Sequence, residues 1–204
     1  MKILALELST ARGGLAWLDN DIELLREWPN DRKNSAPFFE NLHDLTRKFG
    51  TPQTIIVGLG PGSYAGARIA ISAAIGLHLS SGARLIGFPS ICAMESDARE
   101  YCAIGDARRK SFFFARIRDR GAAEGPLLYS ESQMKLKLDK LEPSLPVFSS
   151  DFLPQFKGAA VRHPSALVLA RVAREESRSF FLPPLEPIYL REPHITLPKI
   201  GTTT

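Results

Sequence analysis

Disulfide bonding, zinc binding and membrane insertion find little material in this sequence of 204 residues. Its two cysteines, Cys92 and Cys102, stand ten positions apart with no CxxC spacing, which excludes a disulfide-built scaffold and predicts reduced thiols. Four histidines, His43, His78, His163 and His194, fall into no HxxxH or HExxH pattern, so no metal centre is indicated. The most apolar stretch, Ala65 to Leu79, carries Arg68 and falls short of the ~20 residues that span a bilayer. The opening Met1 to Glu7 turns acidic too soon for a signal peptide, so a cytoplasmic protein without membrane contact is expected. No Gly-x-x-x-x-Gly-Lys-Ser/Thr loop occurs, which excludes a P-loop. Most informative is a gap in charge: no Asp or Glu lies between Asp44 and Glu95, where magnesium-nucleotide chemistry would need carboxylates.

What remains is an ordinary globular composition, 44% hydrophobic and 24% charged, with 26 Lys and Arg against 22 Asp and Glu. The net charge of +4 is unevenly placed. Residues 45–94 carry Arg47, Lys48, Arg68 and Arg84 with no acid. Residues 106–120 carry six basic and two acidic side chains, including Arg108, Arg109 and Lys110 at a hairpin tip. A solvated hairpin is the plain explanation; contact with RNA or an acidic protein is the sharper one.

Three short apolar runs, Ile3–Leu6, Leu15–Leu18 and Ile22–Leu25, read as an antiparallel meander turned at Gly13-Gly14 and at Asp19-Asn20-Asp21. Phe38, Leu42, Leu45 and Phe49 recur at helical spacing after Ser35, a candidate cap, and before Gly50. Ile55–Val57 predicts a strand, Tyr64–Ser80 a long helix of small apolar residues, and Arg84–Phe88 another strand. In the second half, Tyr101–Ile104 and Phe112–Ile117 should pair. Weaker helices are expected over 132–141 and 164–177, with a strand at Val147-Phe148. The pattern is α/β, with mixed sheets flanked by helices. Its expected division is a first lobe over 1–100, a smaller second lobe over 101–191, and a loose tail over 192–204.

Gly60-Pro61-Gly62-Ser63-Tyr64-Ala65 joins strand to helix and formally satisfies the Gly-x-Gly-x-x-Ala pattern. Free N–H groups at a helix start attract anions. Against a nucleotide, Pro61 removes one donor and no acidic residue follows some 20 positions on to hold a ribose. A tight turn with glycines for close backbone approach is the simpler reading. Glu7, at a strand end, is the one upstream carboxylate that could serve such a site. The helix after the loop is apolar nearly all round, so a second covering surface is needed, from this chain or from a partner.

The chain resembles the TsaB (YeaZ-like) family at several points in order. Ile3-Leu4-Ala5-Leu6-Glu7-Leu8-Ser9-Thr10 is similar to its opening, and Val57 through Ile69 to its V-G-x-G-P-G-S-F-T-G-L-R-I signature. Asp106-Ala107-Arg108-Arg109 is similar to its D-A-R-R hairpin, and Pro187-Ile188-Tyr189-Leu190-Arg191 to its P-x-Y-L-R ending. The chain departs at Glu7 for Asp, Ala65 for Thr, Ala67 for Leu, and Asn34-Ser35-Ala36 for His-Ser-Glu. The resemblance implies two lobes of the actin-like ATPase (ribonuclease H-like) class. It also implies a non-catalytic subunit in making threonylcarbamoyladenosine in tRNA, for which "glycoprotease-like" is only a label.

Implied partners are the catalytic paralogue TsaD, the ATPase TsaE, a second copy when the chain is alone, and tRNA through the complex. ATP and metal are then expected on the partner subunits, with no cofactor held tightly here. Gly60, Pro61, Gly62, Ser63, Gly66, Arg68 and Glu7 would be a vestigial anion site. Pairing would use Phe38, Phe39, Leu42 and Leu45 on the first helix and Ile69, Ala73, Gly76 and Ser80 on the second. The rival readings are a stand-alone nucleotide-dependent transferase or phosphotransferase, using the Gly-rich loop and Glu7, and a direct tRNA-binding module.

Overall fold

A computed structural model describes residues 1–20, 22–30, 34–175 and 177–191. The expected tail over 192–204 lies outside the described residues. The first sheet has the order β3-β2-β1-β4-β5. Its strands are β1 (Ile3–Glu7), β2 (Arg12–Asp19), β3 (Ile22–Pro29), β4 (Thr54–Gly58) and β5 (Arg84–Phe88). The meander β1-β2-β3 is antiparallel, and β4 and β5 add in parallel. Gly13-Gly14 is no turn but lies inside β2, because a side chain at Gly13 would strike the Trp28 indole on β3.

β1 and β4 are buried on both faces, which is why they read as unbroken apolar runs rather than alternating ones. Leu4, Leu6, Ile55 and Val57 face α1 (Ala36–Phe49) and α2 (Tyr64–Ser81). Ile3, Ala5, Ile56 and Ile86 face the opposite way into a second core. That second core also takes Tyr101, Phe113 and Phe148 from the other sheet, so the two sheets share it.

The second sheet has the order β10-β9-β6-β7-β8. It is built from β6 (Glu100–Asp106), β7 (Ser111–Arg118), β8 (Gly121–Ser130), β9 (Val147–Ser149) and β10 (Ala159–Val161). Here α3 (Glu131–Leu138) buries Met134 against Phe112, Phe114 and Phe156. Ser130 and Gln133 close the start of α3 with a reciprocal capping box. The expected helix over 164–177 shortens to α4 (Ala166–Val172), and it packs on β1 and β2 of the first sheet. The chain then joins the edge of the first sheet: Gly87 on β5 and Phe181 exchange backbone hydrogen bonds, and Leu185 is buried in the core covered by α1 and α2. The last third of the stretch 101–191 thus packs against the first sheet.

Two connections join the sheets, and they lie side by side. Met94 bridges Pro164, Ser165 N donates to Ala93 O at 2.9 Å, and Glu95 N donates to His163 O at 2.9 Å. Arg120 reaches across to donate to the carbonyls of Met94 (2.6 Å) and Ser96 (2.5 Å).

Candidate functional site

The Gly-rich loop follows β4 directly and presses against the segment that leaves β1. Ser63 N donates to Ser9 O at 2.5 Å, and Gly60 N donates to Ser90 Oγ at 2.9 Å. Ser63 caps α2, its Oγ accepting from Gly66 N at 3.3 Å. A Cβ at Gly62 would collide with Ser9 O, and one at Gly66 with Leu8 O. A Cβ at Gly58 would collide with the Glu7 carboxylate and come within 2.6 Å of Ser90 Oγ. The three glycines are spaced so that helix and loop backbone can lie directly on the end of β1. The Gly60, Ser63 and Gly66 amides are taken up within the chain, and the glycines make the close packing possible.

Glu7 is fully buried behind this loop. Its Oε1 accepts from Ser9 N at 2.7 Å, while Oε2 has no hydrogen-bond partner among the described residues. Burial pushes its carboxyl above the usual value of 4.5, against smaller opposing effects from the adjoining Ser9 and Ser90. Such a group favours holding its proton. No group of three or more His, Cys, Asp and Glu is placed to hold a metal among the described residues. Both thiols are buried and unpaired, and burial pushes Cys92 up to about 12 and Cys102 to about 11, far from nucleophilic.

In front of the loop, a cleft of about 480 Å³ opens between the sheets. Leu59, Ile104 and Phe113 give it apolar walls, and Asp106, Asp151 and Arg191 stand among its polar ones. The basic cluster read from residues 106–120 is dispersed by strand pairing. Arg116 and Arg118 both pair with Glu100, Arg108 pairs with Asp106, and Arg120 clamps the connection described above. Arg108, Arg109 and Lys110 form the exposed hairpin tip with φ of 65°, 53° and 58°. Among the described residues, only Arg109 and Lys110 of the six make no ion pair and no side-chain hydrogen bond.

The helix residues assigned to pairing divide in two. Phe38, Leu42 and Leu45 are buried in this chain's own core, facing Trp17 and the first sheet, so they cannot present themselves to a partner. Their regular spacing marks the inward face of α1. Ser35 begins that helix without a side-chain cap, and Asn34 Oδ1 accepts from Ala36 N instead. Phe39, off that stripe, is half exposed. On α2, Gly66, Ala67, Ala70, Ile71 and Ala74 face inward. Ile69 and Ala73 flank the exposed face and Gly76 and Ser80 lie on it, joined by Ile75 and Leu79, which sequence reading did not single out. Phe39, Tyr64, Arg68 and Ala73 line a groove of about 420 Å³ where α1 meets α2.

No protein-family model and no curated protein matches this chain. Two of the solved structures that it matches share its fold. One is described as an uncharacterized protein with similarity to peptidase YeaZ from Pseudomonas aeruginosa. It is 19% identical, with a TM-score of 0.70 over 93% of this chain and 99% of that one. The other is YeaZ from Pseudomonas aeruginosa, 18% identical, with a TM-score of 0.69 over 85% and 91%. The fold is thus the YeaZ-like arrangement of two five-stranded mixed sheets flanked by helices, the α/β pattern expected from the sequence.

Proposed function

We propose that this chain is a TsaB-like accessory subunit: a non-catalytic scaffold that docks on a catalytic paralogue of TsaD type and supports threonylcarbamoyl transfer to adenosine in tRNA. In this reading ATP and metal belong to the partners, a TsaE-type ATPase joins the assembly, and a second copy takes the same face when the chain is alone. The observation that carries it is the outer face of α2. Ile75 and Leu79 are exposed at 37% and 77%, and Gly76 and Ser80 beside them let another helix approach closely. The YeaZ-like fold and the internally bonded Gly-rich loop support the same assignment.

Gly76→Arg tests it. Nothing lies within 4 Å of a side chain at position 76, so the monomer should keep its fold and gain helix propensity. A guanidinium buried without a partner in a helix-helix contact should weaken association about a hundredfold or more, measured by sedimentation and by co-purification with the paralogue. Unchanged association would end the docking assignment. The cleft supports one rival, a stand-alone nucleotide-dependent transferase. Titration calorimetry with Mg-ATP on the isolated chain is expected to show no tight binding, and tight binding with turnover would favour the rival.

A further inference from the structure

The Pro187-Ile188-Tyr189-Leu190-Arg191 motif plays no part in the reading above, yet it is firmly placed. After its bridge at Gly87 the chain runs as an extended strap toward the Gly-rich loop, and Ile188 N donates to Leu59 O at 2.8 Å. Leu185 and Ile188 anchor the strap in the core under α2, and Leu190 packs on the core between the sheets. Tyr189, between two anchors, remains exposed. Its ring lies 5.4 Å from that of Tyr64, tilted by 44°.

Tyr64 is the first residue of α2, and it lines both the cleft and the groove beside Phe39. The Arg68 guanidinium lies 5.1 Å from the Tyr64 ring, and its terminal nitrogen donates to Tyr64 Oη at 3.1 Å. Tyr189, Tyr64 and Arg68 thus form a continuous row from the strap to the docking groove. The geometry points to Tyr189 as a positioning residue for docking of a second copy of this chain: the strap fixes Tyr64, and through it Arg68, in the orientation that the second copy's helix meets. This role rests on the docking reading of the α2 face. A tyrosine and an arginine at an open helix start would otherwise have to be ordered during association.

The test is self-association of the full chain by sedimentation equilibrium, with thermal melting to follow the fold. Tyr189→Ala should weaken association about tenfold with an unchanged melting midpoint, because Leu185 and Ile188 still hold the strap. Tyr189→Phe, which keeps the ring, should associate like the parent. Tyr189→Leu serves where Ala loosens the strap, and it should weaken association as Ala does. In the Tyr64→Ala background, Tyr189→Ala should add nothing. Wild-type affinity in Tyr189→Ala and Tyr189→Leu, or effects that multiply in the double variant, would overturn the role of Tyr189. If Gly76→Arg abolishes association while Tyr189→Ala leaves it intact, only the strap's role falls. If Gly76→Arg has no effect, or the parent chain stays monomeric, the docking of a second copy falls and the strap's role falls with it.

Discussion

Gly66→Ala should lower the melting midpoint by about 4–8 °C, whereas Gly76→Ala, ten residues along the same helix, should raise it. In both cases alanine is the better helix former by about 1 kcal/mol, so local propensity alone predicts two stabilised proteins. The difference lies in what each methyl group meets. At Gly76 the space is open, and the propensity gain stands. At Gly66 the methyl group collides with the carbonyl oxygen of Leu8, whose own side chain is buried. Backbone oxygen in a buried segment yields only if α2 lifts from the sheet, which would separate Ala67, Ala70 and Ile71 from the core they fill. Overpacking of this kind costs about 3 kcal/mol or more, against the 5–15 kcal/mol that holds a domain together. Thermal melts followed by circular dichroism decide the matter. Equal midpoints for the two variants would show that α2 is not pinned to the end of β1.

Glu7→Gln is expected to remove a pH dependence that the parent chain shows. The folded carboxyl is raised above 4.5, so below that value both folded and unfolded chains carry the proton and no penalty arises. As pH rises from 4.5 toward the raised folded value, the unfolded chain releases its proton first. Stability then falls by up to about 1.4 kcal/mol for each pH unit within that window. Glutamine keeps the shape and cannot ionise, so its advantage over the parent should grow with pH above 4.5. Glu23 and Glu100, held below the usual range by Arg171 and by Arg118 with Arg116, act in the opposite sense. Their contribution is lost only as pH falls, and it is common to both proteins. Urea unfolding across pH 4 to 8 measures the difference directly. A parent and a Glu7→Gln variant with parallel profiles would mean that Glu7 ionises freely in the folded chain.

Periodicity found what periodicity can find. The runs at β1, β4 and β5 and the α1 stripe were legible because burial imposes their pattern. The same stripe misled where partner contacts were concerned. Spacing shows that Phe38, Leu42 and Leu45 share a face, but only the fold shows that this chain's own sheet covers it. On α2 the apolar residues run nearly all round, so inward Ala70 and outward Leu79 look alike in sequence. β8 went unread because it is exposed along most of its length and carries Gly125-Pro126 in its middle. The basic stretch over 106–120 is partly neutralised because Glu100 pairs with Arg116 and Arg118 across β6 and β7, a pairing no linear charge count contains. The Gly-rich signature was visible at once, but its purpose depends on the carbonyls of Leu8 and Ser9, some fifty residues earlier.

The return of α4 and the strap to the first sheet bears on how the protein is made. The five strands of that sheet are all synthesised by Phe88, yet the helix that covers one of their faces begins only at Ala166. Until then Ala5, Ile56 and Ile86 have no cover from α4, and residues 94–164 must emerge before their two ends meet at the Met94–Pro164 bridge. While residues 89–165 are being made, that apolar sheet face therefore has no cover from α4. The chain's first half gains that cover only once Ala166–Val172 has been made.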